Sequence, residues 1–501
     1  MLLSALVLAV TGSVKAALVL PLFLLMVLGF CGMCFALRHA MLGRHPWLWC
    51  LGGASLLASN YATVDWVVRG AFAEFGVMML IPWVLAWCFI LVGEGRWPLW
   101  IGPLLALLAL THSSVALFVL LPLGLTLLAA LGRWRAQATR WWAPAMWSMG
   151  LAALALLPFV LPMLVISRFS RVERLAMFTP GSSGFPWSFY FWDSHWTWGA
   201  DWQGMTVQLD LALLLLLPVY VVSVFAARGL RPTVAPLQWS RERGLAFVLL
   251  GTLAVMGALQ LREAAWVFGW IPGSQYLQFA WRLSVYLTVV LIVCGCVALA
   301  WLTQLEAPWR KAGRQASVAG ALLVFLWAAY PKMWWNWKPY SWYEPQALEQ
   351  ELRTGDYTAF GEFFPRVDWP PPGPAFHDAR TQMADWLRQL PPQACTLSAI
   401  SENAPRERSR DEWLVDCPAQ ASVFLPLFWA PGAQVFVRDA GSGSPWKSIA
   451  ASRSCVDPRA QLLLPAGLSE LQVKYPNWAR MVKAGLLRQG FDYPRDCPAG
   501  R

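Results

Sequence analysis

Charge is scarce in this chain. Of its 501 residues only 13% are Asp, Glu, Lys or Arg, with 28 acidic side chains and 5 His. An ordinary soluble domain carries about a quarter charged residues to keep its surface wetted. Familiar catalytic and nucleotide-binding motifs are missing as well. No G-x-x-x-x-G-K-[ST], H-E-x-x-H or G-x-S-x-G occurs, so ATP-driven transport within this chain, zincin chemistry and serine-hydrolase chemistry have no support. No internal repeat is visible. Met1 is not followed by a basic segment and no cleavage site precedes Lys15, so a cleaved signal peptide is not expected.

Apolar surface is abundant instead. The composition is 57% hydrophobic with 33 Trp, and the apolar residues are gathered into long runs: Ala17–Leu37, Leu99–Gly132, Ala143–Ser167 and Leu283–Leu302. A helix crossing ~30 Å of hydrocarbon needs about 20 mostly apolar residues. Soluble helices that are apolar on every face do not recur this often. The expected architecture is an α-helical polytopic membrane bundle. The formal net charge of +11 does not point to nucleic acid, because the basic residues sit in short loops between apolar runs, where they set topology.

Those loops orient the chain. Arg38–His45, Arg133–Arg140, Arg228–Arg243 and Arg310–Arg314 belong on the cytoplasmic side by the positive-inside rule. Spans then follow at Ala17–Leu37, Trp47–Tyr61, Phe75–Val92, Ala143–Ser167, Asp210–Ala227, Leu245–Leu261, Leu283–Leu302 and Ser317–Tyr330. Leu99–Gly132 is too long for one span and short for two. The polar break Thr111–Ser114 makes it a hairpin of two short helices. The expectation is about nine or ten spans, with residues 1–335 as the membrane domain.

The rest of the chain lies outside the cytoplasm on this topology. Residues 336–390 read as a helical, Pro-rich linker: Glu344–Arg353 has helical character, and Trp369-Pro370-Pro371-Pro372-Gly373 forbids regular structure. Residues 391–501 turn to strand patterning, completing an extracytoplasmic α+β domain whose folded core is a small β-sandwich. Ser422–Pro426 and Gln434–Arg438 flank Pro431-Gly432 as a hairpin, and Gln461–Leu464 and Leu471–Tyr475 flank Pro465-Ala466-Gly467. Four of the ten cysteines, Cys395, Cys417, Cys455 and Cys497, fall in this region. They allow three disulfide connectivities, of which Cys395–Cys417 with Cys455–Cys497 closes the shortest loops. The other six lie in apolar runs, where Cys behaves as a small hydrophobe.

Ionisable residues at membrane depth are expensive and line cavities or pair with one another. Asp65 and Arg69 are four apart, so on a helix they share a face, and Glu74 stands at the mouth of the next span. His112 interrupts an apolar stretch. Gln278, Trp281 and Arg282 lead into the span Leu283–Leu302, where the guanidinium either snorkels to lipid phosphate or clamps a phosphate of substrate. All of these fall on the outer side. The aromatic loop Phe185–Trp196 suits a headgroup zone or an apolar platform for sugar or prenyl groups. Its Asp193 and His195, with Asp201, have no defined metal spacing, so neither metal nor other cofactor is assigned.

The segments Val67–Glu74, Leu110–Ser113, Gln278–Arg282, Gly361–Pro365 and Phe424–Tyr475 together resemble a bacterial polytopic family known as 6-pyruvoyl-tetrahydropterin synthase-related membrane proteins. That name does not imply pterin chemistry. The family's layout is similar to that of membrane glycosyltransferases that take sugars from polyprenyl-phosphate donors on the outer face. Ala280 and Ser113 stand where the pattern has proline and asparagine, and the acidic residue usual in the first outer loop has no counterpart.

The resemblance implies a bacterial inner-membrane protein of extracytoplasmic polysaccharide or glycolipid assembly, glycosyltransferase-like or a non-catalytic relative. Asp65 or Glu74 would be the base, and Arg69 and Arg282 would hold the phosphate, with His112, Gln278 and Trp281 around the substrate. Its partners would be a lipid-linked sugar, membrane lipids and envelope-assembly proteins. The competing expectations are a transport or export component, supported by the Thr111–Ser114 break, and a non-catalytic assembly protein with a sugar-binding outer domain.

Overall fold

In the computed structural model the described residues are 2–41, 44–63, 71–166, 187–188, 190, 209–225, 236–271, 274–277, 279–305, 309–333, 395–399, 410–428, 434–449, 452–453 and 459–474. The chain divides into one unit of Met1–Leu156 with Ala176–Trp337 and another of Leu157–Leu175 with Lys338–Arg501.

The first unit is helical. Its helices are α1 (Leu2–Thr11), α2 (Val14–Ala40), α3 (Pro46–Ala58), α4 (Asn60–Thr63), α5 (Phe72–Glu94), α6 (Ile101–Ala116), α7 (Leu120–Trp134), α8 (Trp142–Ile166, continuing into the other unit), α9 (Leu211–Phe225), α10 (Pro236–Leu259), α11 (Ser284–Thr303) and α12 (Arg310–Met333). Five stretches are long and apolar enough to cross a membrane: Val19–Ala40, Phe72–Glu94, Ile101–Leu161, Arg241–Leu259 and Ala280–Thr303. Pro46–Ala58 and Leu211–Phe225 are shorter apolar helices. The stretch Ile101–Leu161 alone contains α6, α7 and most of α8.

Helices α5 and α11 form the centre, with 94% of each apolar window buried. Their sequences are apolar on every face, so they can be surrounded by other helices without leaving a polar stripe stranded. The outer helices present large apolar side chains outward, among them Phe23, Leu128, Trp147 and Phe325. A set of exposed hydrophobics this broad belongs against lipid.

Close helix approach rests on small residues. A Cβ on Gly102 of α6 would sit 1.8 Å from the Ser148 carbonyl oxygen of α8. The Ser148 hydroxyl accepts the Gly102 N–H at 2.9 Å and donates to the Leu99 carbonyl at 3.2 Å. An N–H that the first turn of α6 cannot satisfy is therefore satisfied from a neighbouring helix.

The polar break is a chain reversal. His112 has extended backbone (φ −158°, ψ 92°) inside α6. Past it, the Trp134 and Trp141 indoles donate to the Val92 and Gly95 carbonyls, so α7 ends beside the C-terminus of α5, where α6 begins. The turn itself lies at the opposite end, where the Tyr286 hydroxyl of α11 bonds the Val115 carbonyl at 2.8 Å.

The second unit holds β1 (Thr396–Ala399), β2 (Arg410–Cys417), β3 (Ala421–Phe428), β4 (Gln434–Asp439), β5 (Lys447–Ile449), β6 (Ser452–Arg453), β7 (Arg459–Leu464) and β8 (Gly467–Lys474). They form a sheet of order β1-β2-β8-β4-β5 and a second of order β3-β7-β6, and every pairing among the described strands is antiparallel. Val415, Val435, Leu471 and Val473 of the first sheet share one core with Val423, Leu462 and Leu464 of the second. A disulfide joins Cys395 to Cys417. Cys455 and Cys497, like the proposed linker 336–390, lie outside the described residues.

The hairpin expected at Pro431-Gly432 is not one. Its flanking strands β3 and β4 belong to different sheets, as do β7 and β8. Alternation locates strands that bury one face, but the same pattern serves a strand that turns back on its neighbour and one that crosses to the other layer.

Candidate functional site

One end of the helical unit carries a layer of buried polar side chains. Helix α5 brings Glu74 to it in its first turn, where the carboxylate faces the positive end of the helix dipole. Glu74 is 1% exposed. The Tyr61 hydroxyl of α4 donates to its Oε1. Arg282, in the short helical turn Ala280–Leu283 that leads into α11, places Nε 3.5 Å from Oε2. A buried carboxylate needs such partners, because desolvation otherwise favours its neutral form.

The guanidinium is itself positioned. Arg282 Nη1 donates to the Leu277 carbonyl at 3.3 Å, and the group lies 5.2 Å from the Phe279 ring centroid. Trp281 stacks on Phe279 at 5.6 Å and meets Tyr61 edge-on at 6.4 Å. One carboxylate, one guanidinium and three aromatic rings from three chain segments thus converge.

Around this cluster the layer continues. Asp210, buried just ahead of α9, accepts the Asn60 backbone N–H at 3.4 Å. Asn60 is 2% exposed, and neither its amide oxygen nor its nitrogen has a hydrogen-bond partner among the described residues. Gln260, fully buried, accepts from Ser284 Oγ at 2.7 Å, and its backbone carbonyl accepts from the Tyr190 hydroxyl at 3.1 Å. A Cβ on Gly76 would lie 2.7 Å from Thr111 Cγ2, so the His112 turn borders the first turn of α5. The His112 Nδ1 lies 3.2 Å from Ser114 Oγ.

Of the residues singled out in the sequence, Glu74, Arg282 and Trp281 meet in one cluster, and His112 lies in the turn beside it. Asp65, Arg69 and Gln278 lie outside the described residues. Arg282, read in the sequence as a phosphate clamp or a snorkelling cation, ion-pairs with Glu74. Tyr61, Asn60, Asp210 and Gln260 were not singled out. Their signal is weak but present: each is a polar residue at the edge of an apolar run, where burial demands a partner.

The cluster can accept a proton on a carboxylate, offer a guanidinium to an anion, and supply aromatic faces to an apolar or sugar group. Among the described residues no three His, Cys, Asp or Glu side chains converge as a metal site would require. No protein-family model matches the chain, and neither any curated protein nor any solved structure gives a significant match.

Proposed function

We propose that this is a multi-pass protein of the bacterial inner membrane that acts in extracytoplasmic polysaccharide or glycolipid assembly, as a glycosyltransferase-like protein using a lipid-linked sugar. On this reading it has about nine or ten spans, the Glu74 end faces outward, and the β-domain, a small sandwich, is extracytoplasmic. The observation that carries the reading is the buried Glu74 carboxylate held between Tyr61 Oη and Arg282 Nε. Glycosyl transfer needs a base at the acceptor hydroxyl and a cation on the departing phosphate. A phosphate arriving at Arg282 competes with Glu74 for the guanidinium, and the freed carboxylate becomes the base. Asp65 and Arg69 fill the same two roles on the preceding segment, and His112, Gln278 and Trp281 line the substrate.

The test is transfer of labelled sugar from a polyprenyl-phosphate donor to endogenous glycan in membranes. Glu74→Gln should abolish transfer at normal protein level, with donor binding retained. Arg282→Lys should weaken donor binding and rescue only partly, because a point charge does not reproduce a planar guanidinium. Full transfer by both variants would overturn the proposal.

The extended backbone at His112 favours one alternative, an export component with a broken helix lining a path. Such a protein would move glycan across proteoliposomes without transferring sugar.

A further inference from the structure

The opposite end of the helical unit, where α5 finishes at Glu94, concentrates cations and hydrogen-bond donors. Arg133 lies in the last turn of α7 and Arg241 near the start of α10. A Cβ on Gly244 would lie 2.8 Å from Val92 and 3.9 Å from Ala129, and one on Gly93 would lie 2.8 Å from Arg241 Nε. Ala129 is one turn before Arg133 and Gly244 nearly one turn after Arg241, so both arginines project where α5, α7 and α10 meet. Arg241 lies within the Coulomb field of Arg133.

Two carboxylates, Glu94 and Glu242, act on Arg241. Glu94 pairs directly with His39 at 3.2 Å and with Arg96. Arg241 donates to the His39 carbonyl. Arg133 packs 4.9 Å from the Trp134 ring centroid, and that indole is fixed on the Val92 carbonyl. Arg133 Nε and Nη1 are both buried without a hydrogen-bond partner among the described residues, as is the indole N–H of Trp97, in the segment that follows α5.

Topology-setting arginines ordinarily reach water or headgroups with their donors free. Here the protein itself encloses two donor nitrogens of one guanidinium beside a second guanidinium, and buried donors without acceptors are rare in native structures. The α7 carbonyl dipole attracts Arg133 but leaves those nitrogens unmatched. We propose that Arg133 and Arg241 form a phosphate-binding site at the Glu94 end of the bundle, separate from the Glu74 cluster and independent of the activity proposed for it. The ligand is a phosphate group, carried either by an anionic phospholipid or by a free phosphate compound.

The experiment uses the full chain in nanodiscs of phosphatidylcholine alone, the same with added inorganic phosphate, and phosphatidylcholine with phosphatidylglycerol. Native mass spectrometry counts retained lipid and thermal unfolding reports stabilisation. A lipid source predicts retained phosphatidylglycerol and a raised Tm only in the mixed discs. A free-phosphate source predicts a raised Tm with inorganic phosphate in phosphatidylcholine discs. In the responsive arm Arg133→Gln and Arg241→Gln should each weaken binding by roughly tenfold or more, while Arg96→Gln, at an exposed site, should not. Should Arg133→Gln fail to accumulate, Arg133→Lys gives a smaller loss by the same titration. Equal retention and equal Tm in all three discs, or a response unchanged by both Gln variants, would overturn the site.

Discussion

Arg282 Nε stands 3.5 Å from Glu74 Oε2, an ion pair between the entrances of the two helices that form the centre of the bundle. Removing either residue takes away the other's counter-charge at this contact, which costs about 3–5 kcal/mol for a buried pair, whereas removing both avoids that penalty. Glu74→Ala and Arg282→Ala should each lower unfolding stability in detergent strongly, and the double variant by much less than the sum. Additive losses would show that the groups do not pair in the folded protein.

The Gly102–Ser148 approach should tolerate no side chain. Gly102→Ala places a methyl against a backbone carbonyl, so α6 and α8 must separate, at a cost of roughly 1–3 kcal/mol. Thermal unfolding of that variant, with the hydrogen bond at Gly102 N as internal reference through Ser148→Ala, measures it. A variant as stable as wild type would contradict the contact.

The Cys395–Cys417 bridge closes a separation of 22 residues, which corresponds to roughly 3 kcal/mol of stabilisation on the chain-entropy account. Non-reducing peptide mapping should recover these two cysteines in one linked peptide. Cys395→Ala/Cys417→Ala should lower the unfolding midpoint of the β-domain and leave the helical unit's midpoint unchanged.

His45 precedes α3 in left-handed backbone, with φ 58° and ψ 61°. Its Nε2 lies 3.2 Å from the Gln304 amide nitrogen and 3.4 Å from Thr303 Oγ1. Burial, and then the Arg44 charge, lower its pKa below the usual 6.5. The unfolded chain therefore binds the proton more readily, so this contribution to stability is lost as pH falls below about 6.5 and returns as pH rises. Asn tolerates this backbone region. The stability difference between wild type and His45→Asn should grow in favour of wild type up to about pH 6.5 and be flat above it. A pH-independent difference would place the His45 charge outside the folding equilibrium.

The orientation has its own test. Single cysteines at Ser442, in a turn of the β-domain, and at Gln137, beyond α7, should differ in intact cells: Ser442→Cys labels with an impermeant maleimide and Gln137→Cys does not. The reverse pattern would overturn the assignment of sides.

The sequence conveyed what depends on nearest neighbours. The apolar runs, the reversal at Thr111–Ser114 and the Cys395–Cys417 pairing all follow from local composition or short loop closure. The partner of Glu74 did not, because helical spacing reveals cations three or four residues away and Arg282 arrives from another helix entrance. Asn60, Asp210 and Gln260 carry no periodic signal, since each is a single polar residue whose neighbours come from distant segments. Strand positions were legible at β3, β4, β7 and β8, but sheet membership was not. The choice between pairing and crossing is made by the shared core of both layers, which no single strand encodes.

The place of β8 has a consequence for synthesis. It is the last described strand, yet it lies between β2 and β4 and pairs with both. As the chain emerges from its N-terminus, β2 and β4 leave the ribosome first and must wait with unpaired edges for the residues that join them. The larger sheet therefore closes in one late step, after every other described strand has been made. Until then the two waiting edges are a template for strands from other molecules, and a ribosome stalled before Gly467 releases a chain whose helical unit can assemble and whose larger sheet cannot.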